Sequence, residues 1–569
     1  MIKPDKQLGD EGYVLATTHY VSIEAPTVKG LFWGTRSLLQ ILYNQQGKLP
    51  KGTARDFPKF SSRGFMLDVA RKFFTLDYLK QYVKILSFYK MNEFQIHLND
   101  NGFPQFFNND WKMTYAAFRL ESERFPGLTA KDGSYTKQEF SNLQRMGMSY
   151  GVNVIPEIDI PAHSLAFTHY KPEIGSKEYG MDHLDLYKDE TYHFLDTLFD
   201  EYLSGEHPIF IGPDVHIGTD EYNKKEAEQY RYFTDRYLKY IEKYGKNPRM
   251  WGGLKWLPGK TPVKAGGVTV NAWSYDWIDP EASLKEGYQL INTCDTYLYI
   301  VPGAGYYREF LDHKWIYESW SPWLMNSKQT LSEGTPGVLG GMFAVWNDMC
   351  GNGISEQDVH LRSFPAIQVL AEKLWKGDNK IVSYESFEAL CRIMPEAPGV
   401  NLLARIPKEM CLTPLGKVCL LSGTDTIRTA LQEVGYPYVV SFKIYPDKDT
   451  NINGILFEGP HSKVYTNWEN TGRIAFSRDG YTFVFGSYCL PKGKWTDICI
   501  SGDYKGTSLY VNGKLQERLE GRKMKVYCKK NKRMDYMPYQ ETLIFPLRWI
   551  GNPLNGFKGK IQNVTCVQK

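Results

Sequence analysis

The sequence predicts an α/β protein: a (β/α)8 barrel with a partial N-terminal α+β segment and a C-terminal antiparallel β-sandwich. Three observations carry this. From about residue 60 to residue 377, eight apolar, β-like runs alternate with longer amphipathic stretches. Polar or tryptophan residues recur at the ends of those runs, where a barrel carries its chemistry. Beyond about residue 413, short alternating strands separated by turn residues replace the helical pattern.

In chain order, residues 1–55 hold two strand-like runs, Gly12-Tyr13-Val14-Leu15-Ala16 and Tyr20-Val21-Ser22-Ile23-Glu24, and a helical pattern near 31–42. Two strands and a helix are too little to stand alone as a domain. The barrel is expected over 56–378. Its strand-like runs are 64–68, 93–98, 152–157, 215–218, 249–252, 268–273, 289–293 and 338–346, with helical patterns at 76–89, 137–150, 224–244 and 364–374. Residues 379–412, with Pro395, Pro398 and Pro407, read as a linker. Residues 413–569 give strands at 435–444, 454–458, 472–476, 481–485, 495–500 and 507–511, the last running into Asn512-Gly513, a two-residue hairpin signal.

Composition narrows the function. At 569 residues the chain is long enough for two or three filled cores. A net charge of +4 is too small over this length for a dedicated nucleic-acid binder. No run of 18 apolar residues is present, so no membrane span is expected. Aromatic residues make up 15%, with 14 Trp and 39 Tyr, which suits a protein that stacks rings on sugar faces as well as one with large β-rich cores. The nine cysteines show no metal-ligand spacing. Mostly free thiols, no metal and no cofactor are expected. Met1-Ile2-Lys3-Pro4-Asp5-Lys6 lacks the apolar core of a signal peptide, which leaves an intracellular protein or one whose leader has been trimmed.

The chemistry concentrates in Val215-His216-Ile217-Gly218-Thr219-Asp220-Glu221-Tyr222. Two adjacent carboxylates follow a strand end directly. Alone, such a pair caps the helix that begins near Asn223. In a barrel mouth both can face one site, and crowding makes one of them costly to ionise. The other polar strand ends are Asp68, Asn99 with Asp100, Glu157 with Asp159, Trp251, Trp273, and Trp346 with Asp348.

Four segments, in order, resemble glycoside hydrolase family 20, the β-N-acetylhexosaminidases and their relatives. They are residues 60–71 (Phe60-Ser61-Ser62-Arg63-Gly64-Phe65-Met66-Leu67-Asp68-Val69-Ala70-Arg71), His97-Leu98-Asn99-Asp100, Pro156-Glu157-Ile158-Asp159-Ile160-Pro161-Ala162-His163 and His216-Ile217-Gly218-Thr219-Asp220-Glu221. The resemblance covers about 12–377. It implies exo-acting release of terminal GlcNAc or GalNAc from a glycan substrate, with the substrate's own 2-acetamido oxygen attacking C1. By that resemblance Glu221 is the acid and base and Asp220 holds the acetamide N–H. Tyr297, or by register Tyr299, donates to the acetamide oxygen. Asp100 and His163 relay charge behind the acid, Arg63 forks onto O3 and O4, and Trp251, Trp273 and Trp346 form an aromatic box. The class also implies a secreted or periplasmic location.

The pattern is not uniform. Thr219 stands where the family has a glycine, Asn101 where it has an aspartate, Tyr299 in place of a carboxylate, and Asp348 in place of a glutamate. Less negative charge around the sugar suggests tolerance of a 6-O-sulfate. The run Tyr297-Leu298-Tyr299-Ile300-Val301-Pro302 leans towards dispersins and lacto-N-biosidases, so disaccharide release is one alternative and a non-catalytic glycan-binding protein is another. The C-terminal strands resemble a concanavalin- or laminin-G-like domain, whose role is glycan binding or buttressing; its sequence identifies no calcium ligands.

Overall fold

The computed structural model describes residues 5–378, 381–521, 523–528 and 533–568, with backbone alone at 523–528 and 533–538. All eight expected barrel strands form: β1 (Ser62–Asp68), β2 (Glu93–His97), β3 (Asn153–Ile160), β4 (Asp214–Gly218), β5 (Asn247–Trp251), β6 (Thr269–Ala272), β7 (Gln289–Asn292) and β8 (Val338–Val345). They pair in parallel in sequence order, and β8 closes the ring by pairing with both β7 and β1. Covered on both faces, these strands need unbroken apolar runs, which is why they were legible as such. Helices Leu76–Phe88, Lys137–Ser149, Asp189–Leu203, Ala227–Lys243 and Glu356–Lys376 pack outside. Thr75 caps the first, and Thr136 with Glu139 makes a capping box on the second. Residues 252–268, between β5 and β6, form turns and irregular backbone in place of a helix.

The N-terminal layer is a three-stranded antiparallel sheet, Val21–Glu24, Tyr13–Thr17 and Gly52–Asp56, with helix Val28–Asn44. The third strand is mostly exposed and polar, Gly-Thr-Ala-Arg-Asp, and lacks the alternation that marks a strand in a sequence. Residues 379–412 are not a bare linker: helix Tyr384–Ile393 lies within them.

Arg63 corrects the sequence reading. It lies at the start of β1, at the barrel floor away from the mouth, and is fully buried. Both terminal guanidinium nitrogens fork onto Glu11 at 2.9 Å, while Nε donates to the Lys90 carbonyl (2.8 Å) and Nη1 also to that of Phe60 (2.7 Å). Trp33 and Trp375 flank the guanidinium at 5.8 and 5.0 Å. Arg63 fastens the N-terminal layer to the barrel, with its guanidinium turned to Glu11 and away from the mouth.

A second unit comprises residues 351–361 and most of the chain beyond Asn401. Its two larger antiparallel sheets run Met410–Cys411, Lys558–Gln568, Tyr438–Pro446, Thr496–Gly502, Gly506–Val511, Lys514–Glu520, with Cys419–Ser422 also on Lys558–Gln568, and Thr426–Arg428, Trp549–Gly551, Asn453–Glu458, Ser462–Trp468, Arg473–Arg478, Tyr481–Cys489. Phe442, Phe457, Phe476, Phe545 and Ile561 belong to their common core. Asn512 and Gly513 both take positive φ (47° and 77°), as a tight hairpin requires. Among the described residues no helix is long and apolar enough to cross a membrane.

The Arg63–Glu11 pair gives the first test. Glu11→Ala strands a buried cation and is expected to lower stability by about 3 kcal/mol. Thermal unfolding checks this; an unchanged midpoint contradicts it.

Candidate active site

The end of β4 is a bent backbone that separates two neighbouring carboxylates. Gly218 and Thr219 take φ of +69° and +81°, and Glu221 +52°. The first suits glycine alone, since a Cβ there would sit 1.7 Å from the Asp159 carboxylate. Thr219 is β-branched and pays about 1 kcal/mol or more for that angle. Its N–H donates to Asp159 Oδ1 at 3.2 Å, and its carbonyl accepts from the Tyr230 hydroxyl. The turn buries Asp220 and leaves the Glu221 side chain half-exposed. Asp220 Oδ1 is buried with no hydrogen-bond partner among the described residues.

Asp100, just beyond β2, anchors the charges behind this pair. It receives Arg71 at 2.8 Å, His97 at 2.7 Å, His163 at 2.9 Å and the Asn101 N–H at 2.7 Å. Burial works against its ionisation, but Arg71 and His163 hold its carboxyl well below the usual range. His163, on the turn after β3, presents its other nitrogen to Glu221 at 3.3 Å and to Asp220 at 3.9 Å. Burial disfavours the imidazolium, yet Asp100, Asp159 and Asp220 together raise its pKa well above the ordinary value. Asp220 is pushed up to about 6, by burial first, while His163 opposes and Glu221 adds to the rise. Burial also acts to raise Glu221, but the hydrogen bond and charge of His163 outweigh it and hold this carboxyl below the ordinary range. Asp159, buried beside Asp220, is driven well up.

The three tryptophans expected to line the site come together. Trp251 and Trp346 lie 5.6 Å apart between ring centroids, and Trp273 belongs to the same buried cluster. The Trp251 N–H donates to Glu157 at 2.6 Å, and that of Trp273 to the Gly252 carbonyl at 2.8 Å. Of the two tyrosines, Tyr299 is the one in the cluster, 5.8 Å from Trp346 and buried. Tyr297 sits on the short helix Asp295–Leu298 and packs on Trp315 at 4.6 Å. The register alternative replaces the first choice. Asp348 reaches Arg71 at 3.4 Å and accepts from Tyr306 at 2.6 Å.

Arg71 is the residue that sequence reasoning missed. It follows the C-terminal end of β1, bonds Asp68, Asp100 and Asp348, and lies 5.8 Å from the Trp346 ring. Arg63 and Arg71 stand at opposite ends of one parallel strand, and only the second can face the mouth. His97 and Glu157 were also unassigned. They form a second row, with His97 3.1 Å from Glu157, which is lowered to about 2 because two histidines outweigh its burial.

Two substitutions at adjacent positions have opposite expected effects. Gly218→Ala drives a methyl into Asp159 and is expected to lower both the unfolding temperature and any turnover. Thr219→Gly relieves the backbone and is expected to raise stability by roughly 1 kcal/mol. Thermal melts of both variants decide; a stable Gly218→Ala protein would contradict the geometry.

Comparison with known proteins places the chain in a family. The glycosyl hydrolase family 20 catalytic-domain model matches residues 60–378, and the family's domain 2 model matches residues 2–57. A beta-hexosaminidase of Akkermansia muciniphila is 29% identical over 315 residues, 48% of this chain. The match spans 60% of that relative's length. A Flavobacterium johnsoniae chitobiase structure superposes with a TM-score of 0.52 at 25% identity, covering 67% of this chain and 59% of that one. The beta-N-acetylhexosaminidase structure from Bacteroides fragilis gives 0.56 at 24%, covering 68% and 80%, a likeness of fold. With its catalytic-domain model matched over more than half its length, the chain belongs to glycosyl hydrolase family 20.

Proposed function

We propose that the protein is a retaining exo-β-N-acetylhexosaminidase that removes terminal β-linked GlcNAc or GalNAc from glycans with help from the substrate's acetamide. One observation carries this reading: Asp220 is buried with a carboxylate oxygen that has no partner among the described residues, while its neighbour Glu221 stands half-exposed. The first suits an acceptor for the acetamide N–H inside a closed box. The second suits an acid for the glycosidic oxygen at the mouth.

The steps follow from these positions. Asp220 accepts the acetamide N–H, and the Tyr299 hydroxyl donates to the acetamide oxygen, turning that oxygen towards C1. As substrate covers Glu221, desolvation raises its proton affinity, and the imidazolium of His163, 3.3 Å away, supplies a proton. Glu221 passes it to the leaving oxygen while the acetamide oxygen closes on C1, giving an oxazolinium whose charge Asp220 offsets. Glu221, now a carboxylate, deprotonates the water that reopens the ring on the same face. Glu221 then hands the water's proton back to His163, 3.3 Å away, and Asp100, ionised throughout, stabilises the imidazolium that re-forms.

A 6-O-sulfated terminal sugar belongs to the same proposal. Tyr299 stands in the wall without a carboxylate, and Asp295 and Asp348 are engaged by the hydroxyls of Tyr307 (3.0 Å) and Tyr306 (2.6 Å). The relay argues against a lectin, which has no use for a stored proton. A secreted or periplasmic location suits a glycan substrate, and the two-layer arrangement of the C-terminal sheets supports the concanavalin- or laminin-G-like reading.

Three measurements test the proposal. Glu221→Gln is expected to abolish turnover of 4-nitrophenyl GlcNAc while retaining binding; a variant as active as the parent contradicts the role. The reaction needs Asp220 ionised, so kcat/KM rises as pH increases through about 6, the value to which burial pushes it. Asp220→Asn is expected to erase that limb and lower kcat about 100-fold. Finally, 4-nitrophenyl GlcNAc 6-sulfate is expected to be cleaved about as well as the plain sugar, and a clear preference for the plain sugar refutes sulfate tolerance.

A further inference from the structure

Beside the box, segments following β4, β5, β6 and β7 build a surface that the mechanism does not use. Trp277, on the loop after β6, lies 5.4 Å from Trp273 and is stacked at 4.9 Å on Trp256 from the loop after β5. Both rings are only half-buried. The Trp256 ring carries the Lys224 ammonium 3.3 Å from its centroid, three residues beyond Glu221. Next to Trp277, the Tyr275 ring takes two ammoniums, Lys255 at 3.5 Å and Lys328 at 4.5 Å. Lys255 is tied to this loop through its N–H to the Trp277 carbonyl at 3.1 Å and its ammonium to the Tyr275 carbonyl.

The charges on this surface are unbalanced. Lys224, Lys255 and Lys328 are exposed, and none makes an ion pair with a carboxylate among the described residues. The nearby acids are mostly engaged: Glu226 takes the hydroxyls of Tyr179 and Tyr187, and Glu178 faces Lys225 at 3.5 Å. Asp276 is the exception, exposed between Tyr275 and Trp277. Two lysines sharing one tyrosine ring repel each other, a cost that a bound anion removes. Glu221 protonates the bond to the leaving group, so the loops outward of it face whatever that leaving group is.

We propose that Trp277, Trp256, Lys224, Lys255 and Lys328 form a binding site for the leaving-group glycan, and that this site selects a glycan bearing an anionic substituent, a sulfate ester or a carboxylate. The inference rests on the hydrolase reading above. The tryptophans supply ring surface for the sugars beyond the cleaved one. The lysines supply a field that favours an acidic chain and weakens with salt.

The test uses oligosaccharides with the same terminal β-GlcNAc, whose second sugar carries a sulfate ester, a carboxylate or neither. The parent protein is expected to show kcat/KM at least 10-fold higher for one anionic substrate than for the neutral one, an advantage that shrinks between 20 and 200 mM salt. Whichever anionic arm is faster identifies the group. The Lys255→Ala/Lys328→Ala variant is expected to lose the advantage yet cleave 4-nitrophenyl GlcNAc as the parent does. Equal rates on all three substrates, or an advantage that survives in the variant, overturn the proposal. Should the parent fail on 4-nitrophenyl GlcNAc itself, the hydrolase reading fails instead. Binding of the same three oligosaccharides to the Glu221→Gln protein, with and without the lysine pair, then decides this inference on its own.

Discussion

The site depends on keeping one buried carboxylate ionised. Asp100 has no access to water, and an isolated charge there would take up a proton. Four donors on three stretches of chain prevent it: Arg71 after β1, His97 at the end of β2, His163 after β3 and the Asn101 backbone. Because Asp100 stays negative, the imidazolium is the resting form of His163. Because His163 is positive, Glu221 has a proton within reach and Asp220 has a counter-charge. The order of the barrel strands is what brings these groups together, since β1, β2, β3 and β4 are successive neighbours and end at one rim.

Backbone geometry does the rest. His163, Thr219 and Glu221 all hold positive φ, at 53°, 81° and 52°. Such angles cost free energy in non-glycine residues and persist only where the surroundings over-determine them. Here they turn two adjacent carboxylates into different environments, one closed and one open. The same two residues on a regular strand would point to opposite faces.

Much of this was legible in the sequence, for identifiable reasons. Parallel barrel strands are buried on both sides and show as plain apolar runs, so all eight were visible. Asp220 and Glu221 were visible because a carboxylate pair at a strand end is conspicuous. The misassignments concern direction and register. Choosing Arg63 over Arg71 required knowing which end of β1 faces the mouth, and the strand direction implied by Asp68 at its end already contained that answer. Tyr297 and Tyr299 differ by a short helix, Asp295–Leu298, that four residues of sequence do not announce. The strand Gly52–Asp56 was hidden by its polar composition. The proton network of His97, Glu157 and Asp159 depends on contacts between separate strands, which no local pattern displays.

The central claim is that the substrate's acetamide, held by Asp220, is the nucleophile, and that Glu221 is the one residue exchanging protons with the leaving oxygen and the water. Two displacements at C1 must then leave the anomeric configuration unchanged. Proton NMR of the sugar released in the first minutes of hydrolysis, before mutarotation, reads this directly. The expected product is the β-anomer. An initial α-anomer would mean single displacement by water, and the roles given to Asp220 and Glu221 would be wrong.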